Sequence, residues 1–249
     1  VQDSLARFYD DAYTRPPREA ALYARWRALG AVGKADHVMA LCERSGVEPA
    51  CTLEVGCGDG ALLCELRARH FGGRLSGVEI TDAAVAIARA RTEIDEVELY
   101  DGAHLRVADG TYDLGVLSHV LEHVLDPAAL LAEVARACRV VVLEVPLEAN
   151  LSARRASKRE HAEEVGHLQR LDRGAVRAIV ARAGLALDGE LEDPLPVEVH
   201  RFFAGTFPAR TAAGVKWAVR NALHNLAAPL ARRLFTVHYA CLCRRPPDA

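Results

Sequence analysis

Lysine is nearly missing from this chain: of its 31 basic residues only three are lysine. With 34 acidic residues the formal net charge is −3, so there is no broad basic field of the kind that holds a nucleic-acid backbone. Aromatic residues are sparse at 6%, and no basic or aromatic-rich segment that could serve as an RNA-binding module is appended. Long apolar runs are absent as well. The longest strongly apolar stretch, Val140 to Val145, is far too short to cross a bilayer. The opening residues Val1-Gln2-Asp3-Ser4 lack a basic segment leading into an apolar core, so no signal peptide and a soluble, cytoplasmic protein are expected. The seven cysteines are odd in number and lack paired metal spacing. They are expected as reduced thiols, mostly buried. No ligand pair at helical or ribbon spacing argues for a metal, so no metal is expected. There is no internal repeat and no low-complexity segment.

What is present is an ordinary globular composition, 51% apolar and 26% charged over 249 residues. That is enough chain for one α/β domain with additions. The most informative stretch is Thr52-Leu53-Glu54-Val55-Gly56-Cys57-Gly58-Asp59-Gly60. A short apolar run carries an acid near its end, glycines follow at alternate positions, and a helical pattern starts at Ala61. Strand, glycine turn and helix are how an α/β protein brings backbone against an adenosine-containing cofactor. A Cβ would block that approach, and some positions of such a turn need positive φ. The spacing is not the G-x-G-x-x-G of dinucleotide binders. An acid two residues before the first glycine suits a ligand with an ammonium group and no phosphate.

Further along, Arg74 to Glu79 reads as a second strand ending in an acid, roughly twenty positions beyond the last glycine, where a ribose-binding carboxylate belongs. Tyr100-Asp101-Gly102 follows a third strand, and Leu117-Ser118-His119-Val120-Leu121-Glu122-His123 ends a fourth. At these residues the chain resembles the class I S-adenosylmethionine-dependent methyltransferases, especially their small-molecule, natural-product-type branch. The resemblance runs from about residue 50 to 190. It implies a Rossmann-like α/β fold: a seven-stranded sheet in the order 3-2-1-4-5-7-6, strand 7 antiparallel, helices on both faces and an N-terminal helical lid. It also implies S-adenosylmethionine as cofactor, with S-adenosylhomocysteine as product, a chemistry that needs no metal.

Periodicity places strands at 51–55, 74–79, 97–100, 112–117, 139–145, 185–191 and 236–243. Helices are expected near 60–70, 82–92, 126–138 and 173–183, with Asp126-Pro127 as a cap followed by proline at the first helical position. Residues 1–46 read as a helical lid and 47–249 as the core, with an acceptor-side insertion at 193–235. In the lid, Leu5, Phe8 and Tyr9 mark one segment, Arg15-Pro16-Pro17-Arg18 breaks it, and helices follow at 20–29 and 35–42. Val197 to Phe207 reads as a strand or an extended loop. Residues 211–234 read as a basic amphipathic helix interrupted at Pro229, a solvated face, lid or dimer contact.

The resemblance distributes roles residue by residue. Glu54 organises the ammonium side, and Gly56, Cys57 and Gly58 present backbone, while Gly60 lets the helix pack close. Glu79 takes the ribose hydroxyls, with Ile80 on the adenine and Asp101 and Gly102 at its amino group. Tyr13 and Lys34 of the lid are candidates beside the cofactor, Lys34 at its carboxylate, and Ser118 and His119 follow strand 4 toward the methyl group. His119 is the first candidate base. Glu144 and His167 are further catalytic candidates, and His123 and His200 stand near the same mouth. The acids Glu122, Asp126, Glu144 and Glu148, with no basic cluster in the core, lean toward an amino-bearing or neutral polyhydroxyl acceptor such as a sugar or amino sugar. A small-molecule acceptor is the expected partner, with no nucleic acid, no membrane and a homodimer left open. The competing readings are an RNA methyltransferase, a nicotinamide oxidoreductase and a non-catalytic cofactor-binding scaffold. The Leu-Ser-His-Val after strand 4 differs from the Asn/Asp-Pro-Pro-aromatic tetrapeptide of nucleic-acid enzymes. The glycine spacing weighs against the oxidoreductase, and the intact turn with both acids against the scaffold.

Overall fold

A computed structural model describes residue 10 and residues 13–246, without the side chain of His161. Leu5, Phe8 and Tyr9 lie outside the described residues. The chain alternates strand and helix from Cys51 onward: β1 (Cys51–Val55), α2 (Ala61–Ala68), β2 (Arg74–Glu79), α3 (Asp82–Arg89), β3 (Glu96–Leu99), β4 (Tyr112–Ser118), α4 (Pro127–Ala137) and β5 (Cys138–Pro146). After α5 (Ala156–Glu164) and α6 (Arg173–Arg182) come β6 (Ala186–Asp193), α7 (Val197–Arg201), α8 (Phe207–Leu234) and β7 (His238–Arg244). A long helix, α1 (Pro17–Arg44), precedes them all. The sheet runs β3-β2-β1-β4-β5-β7-β6. β7 lies antiparallel to both β5 and β6, as the resemblance implies.

The core follows from the strand sequences. In β5 every residue but Arg139 is buried, the mark of a strand covered on both faces. Val141 and Leu143 face one apolar cluster, with Leu131, Val134 and Val180 of α4 and α6. Val140 and Val142 face the other, with Leu41 of α1 and Leu63 of α2. Each fully buried leucine of this kind contributes on the order of 2 kcal/mol. Helix ends are closed by side chains where the sequence supplies them: Asp126 and Asp172 accept from the backbone N–H groups of Ala129 and Ala175.

Three local expectations are corrected. The segments 20–29 and 35–42 are one helix, because Gly30 and Gly33 sit in a continuous ladder whose apolar face (Ala31, Ala35, Val38, Leu41) is held by tertiary packing. Val197–Arg201 is a short helix instead of a strand or loop. The break in α8 falls at Ala227 (φ −152°, ψ 63°), two residues ahead of Pro229; the proline ring excludes helical geometry upstream of itself.

Candidate functional site

The glycine turn presents mostly backbone, with Cys57 and Asp59 as its side chains. Gly56, Gly58 and Gly60 all have positive φ. The N–H groups of Gly56 and Cys57 both donate to the carbonyl of Val78, tying the turn to the end of β2. A Cβ on Gly58 would stand 2.5 Å from the Tyr13 hydroxyl, and one on Gly60 2.3 Å from Ile94. Asp59 clamps the turn through Arg27 at 2.8 Å and Arg91 at 3.3 Å. Arg27 in turn lies over the Tyr13 ring, 4.8 Å from its centroid.

Glu54 and Glu79 stand on either side. Glu79 is 7% exposed, and its carboxylate accepts from Gly58 N at 2.9 Å and Ile80 N at 2.6 Å. Burial raises its pKa and those backbone N–H groups pull it back. Glu54 is buried, and one of its oxygens has no hydrogen-bond partner. Burial pushes its pKa up to about 8, against the pull of the Lys34 charge. Asp101 is a turn cap: it accepts from the N–H groups of Ala103 and His104, which hold its carboxyl below the usual range.

Gly56, Gly58, Asp59, Glu54, Glu79 and Asp101 line one cavity of about 1790 Å³ at the carboxyl ends of β1, β2, β4 and β5, the place where open α/β sheets bind ligands. Tyr13, Lys34, Ile80, Cys57 and Gly102 line it too. Gly60 lies behind the wall as the left-handed residue before α2.

The far end of the same cavity is built from imidazoles and carboxylates. β4 ends at Ser118, whose hydroxyl is buried without a partner. His119 then takes a left-handed backbone (φ 59°), unusual for a residue with a side chain and costing roughly 1–2 kcal/mol. Its N–H donates to the Glu144 carbonyl. Its ring Nε2 lies 3.3 Å from Glu144 Oε1 and 3.1 Å from His238 Nδ1. Glu144 Oε1 is also 3.1 Å from His238 Nδ1, and Oε2 is 2.8 Å from His37 Nδ1. His37 Nε2 continues to Asp193 at 2.8 Å. Burial alone would raise Glu144, but the three imidazoles hold it well below the usual carboxylate range. Burial opposes charging His37, yet the carboxylates of Asp193 and Glu144 raise it to about 10, so the ring is protonated at neutral pH. His167 pairs with Glu148 at 2.7 Å and meets the His123 ring edge-on at 4.8 Å. His200 donates to the Pro194 carbonyl.

The structure thus brings His119, Glu144 and His167 to one cavity with the cofactor-side residues, and it adds three the sequence reading did not single out: His238 on the cavity wall, and His37 and Asp193 linked to Glu144. His238 had a legible signal. The start of an antiparallel β7 lies beside the end of β5, and His238 pairs in register with Pro146. His37, in the middle of α1, had none.

Two charge expectations are corrected. The acids Glu122, Glu144 and Glu148 do not form a free acidic rim, because each lies within 3.3 Å of an imidazole nitrogen, and Asp126 is a helix cap. A basic cluster does exist. Lys158 of α5 and Arg220 of α8 line the cavity with His200, and the charges of Arg220 and Lys158, with burial, depress Lys216. Among the described residues no carboxylate forms an ion pair with Lys158, Lys216 or Arg220. The basic character of 211–234 was legible in sequence, but its meeting with Lys158 was not, because the two helices stand about 60 residues apart.

Comparison with known proteins agrees with this geometry. A family profile described as a methyltransferase domain matches residues 23–189. An uncharacterized 37.1 kDa protein of transposon TN4556 from Streptomyces fradiae is 42% identical over 91 residues, 35% of this chain and 26% of that protein. The ubiquinone biosynthesis O-methyltransferase of Acinetobacter baylyi is 31% identical over 96 residues, 36% of this chain and 38% of that enzyme. The chain therefore spans well under half the length of these curated relatives. Among solved structures, a geranyl diphosphate methyltransferase in complex with geranyl diphosphate and sinefungin superposes with a TM-score of 0.63. It is 16% identical, with 98% of this chain and 99% of that one covered, a likeness of fold.

Proposed function

The chain belongs to the family of methyltransferase domains, and on that premise we propose that it moves a methyl group from S-adenosylmethionine to a nitrogen or oxygen of a polar small molecule. The observation that carries the reading is the continuity of one cavity from the glycine turn, with Glu54 and Glu79, to the His119 cluster. The cradle fits the cofactor: Gly56 and Gly58 hold the turn at positive φ, where side chains are disfavoured, and the buried Glu54 oxygen has an unmet capacity to accept from an ammonium group. When bound, that cofactor supplies a methyl group on a sulfonium. Glu79 would hold its ribose hydroxyls and Lys34 its carboxylate, while Tyr13 and Ile80 wall the cleft. Holding acceptor, methyl and sulfur collinear contributes several kcal/mol, about 7 or more in the best-oriented cases. His119 orients the acceptor at that end and helps remove its proton. We place the helix α1 and the segment 193–235 on the acceptor side as walls of the cavity.

The unmatched cations at the mouth favour an acceptor that also carries an anionic group, a phosphate or a carboxylate. The lean toward an amine gives way, since the acids beneath it are matched by imidazoles. Labelled methyl transfer to matched pairs tests this: a sugar against its phosphate, a phenol against its carboxylated form, with amino sugars alongside. Faster turnover of the anionic partner is expected, with the preference lost in Arg220→Ala. Equal rates across pairs, or preference for amines, would overturn it.

Glu54 makes the cofactor step pH-dependent. Its pKa of about 8 leaves it protonated at pH 7, and an ammonium group beside it favours the carboxylate. Binding at pH 7 should therefore release close to one proton per site, and affinity should rise with pH and level off above 8. Calorimetry in buffers of different ionisation enthalpy reads the proton directly, and Glu54→Gln should remove it. Tight binding without proton release would put the ammonium elsewhere.

A further inference from the structure

We propose that His119, His238 and Glu144 form a binding site for a divalent first-row transition-metal ion at the acceptor end of the cavity. Three atoms, His119 Nε2, His238 Nδ1 and Glu144 Oε1, form a nearly equilateral triangle with edges of 3.1, 3.1 and 3.3 Å. Ligand atoms bound tetrahedrally at about 2.0–2.1 Å are roughly 3.3 Å apart, so the triangle has the size of one face of such a site.

Hydrogen bonding alone does not satisfy this triangle. Each edge needs one proton between its two atoms. If both imidazoles donate to Glu144, two N–H groups face each other along the third edge. If one imidazole donates to the other, a lone pair faces the carboxylate. A cation seated just off the plane of the triangle, as over one face of a tetrahedron, resolves all three edges at once, because each of the three atoms can then offer it a lone pair.

The surroundings are those of a metal site. His119 Nδ1 lies 3.2 Å from Glu122 Oε1. That approach is off the line of an ideal hydrogen bond, but it favours the tautomer with a free lone pair on Nε2. The second oxygen of Glu144 is held by His37, and His37 by Asp193. The Ser118 hydroxyl, buried and unpartnered, lies on the residue before His119. The strained backbone at His119 fits a residue whose ring must reach one place. All three ligands line the cavity, so an open coordination position would face the acceptor. Two imidazoles and one carboxylate select zinc, iron, cobalt or manganese over magnesium and calcium, which prefer all-oxygen shells. The inference rests on the proposed methyl transfer for its purpose, orienting and polarising an acceptor oxygen; with an ion bound, His119 would act as a ligand and no longer as a base, and the metal binding itself does not depend on that reaction.

The test uses the full chain, stripped with chelator and titrated with cobalt(II) chloride. One equivalent should bind, with visible ligand-field bands and no thiolate charge-transfer band, and zinc(II) should displace it. His238→Ala and the nearly isosteric Glu144→Gln should each weaken binding more than 100-fold. His37→Ala, which changes only a supporting contact, should weaken it about 10–100-fold. Cys51→Ser with Cys64→Ser should leave the spectrum unchanged. No stoichiometric binding to the wild-type chain, or thiolate bands that vanish in the cysteine variant, overturns the site. S-adenosylmethionine calorimetry on the same samples separates the two ideas. Cofactor binding without cobalt binding sinks only the metal site, and cobalt binding without cofactor binding sinks only the methyl-transfer reading.

Discussion

Replacing His119 with alanine is expected to lower turnover about 10²–10⁴-fold while leaving cofactor affinity within a factor of about two. The expectation comes from where the ring sits. It meets Glu144 and His238 at the acceptor end, while the residues assigned to the cofactor gather around the glycine turn. Removing it takes away acceptor positioning and the nitrogen that helps handle its proton, and it leaves Glu54 and Glu79 in place. Alanine also relieves none of the left-handed backbone, so the fold should change little. Single-turnover rates alongside calorimetry separate the two effects. Retention of most activity would move the chemistry to the His167–Glu148 pair, 2.7 Å apart and on the same cavity.

Glu79→Ala should weaken S-adenosylmethionine binding by roughly 1.5–3 kcal/mol, about 10- to 150-fold, since two charge-assisted hydrogen bonds to ribose hydroxyls are lost. The structure adds a second contribution. The Glu79 carboxylate is already oriented by the N–H groups of Gly58 and Ile80. The alanine variant therefore also leaves a turn N–H without its acceptor. Glu79→Gln keeps one amide oxygen in that place and should recover part of the loss, which separates turn support from ribose binding. Calorimetry on the three proteins checks it. An alanine variant that binds as tightly as the wild type would remove Glu79 from the site and, with it, the assignment of the end of β2 to the cofactor.

The cofactor half of the site was legible because its parts are local. Glu54 and the glycines lie within seven residues of each other, and Glu79 ends the next strand of the same β-α-β unit. Chain geometry over such distances is set by strand and helix lengths, so strand ends could be read from apolar runs. Asp101 stands in the turn after β3, where its capping of the Ala103 and His104 N–H groups explains its position as well as a ligand would.

The acceptor half was legible only in part. His119 and Glu144 stand at the ends of readable strands, and the sheet order that makes them neighbours came from resemblance, since periodicity carries no strand order. His37 and Asp193 bracket the cluster from a helix and an edge strand 156 positions apart. No local pattern marks such a pair, and the carboxylates of Asp193 and Glu144, against the opposing effect of burial, raise the His37 pKa.

By itself the sequence determined the alternation of strands and helices, the backbone cradle and the acids that flank it. Each of these depends on interactions within a few tens of residues. Tertiary structure decided the chemistry of the other end. It matched the supposed acidic rim with imidazoles, brought Lys158 of one helix to Lys216 and Arg220 of another, and closed the triangle of His119, Glu144 and His238. Charge balance and ligand geometry depend on which distant side chains are buried together. Only the packed sheet, with β7 laid antiparallel against β5, brings them within bonding distance.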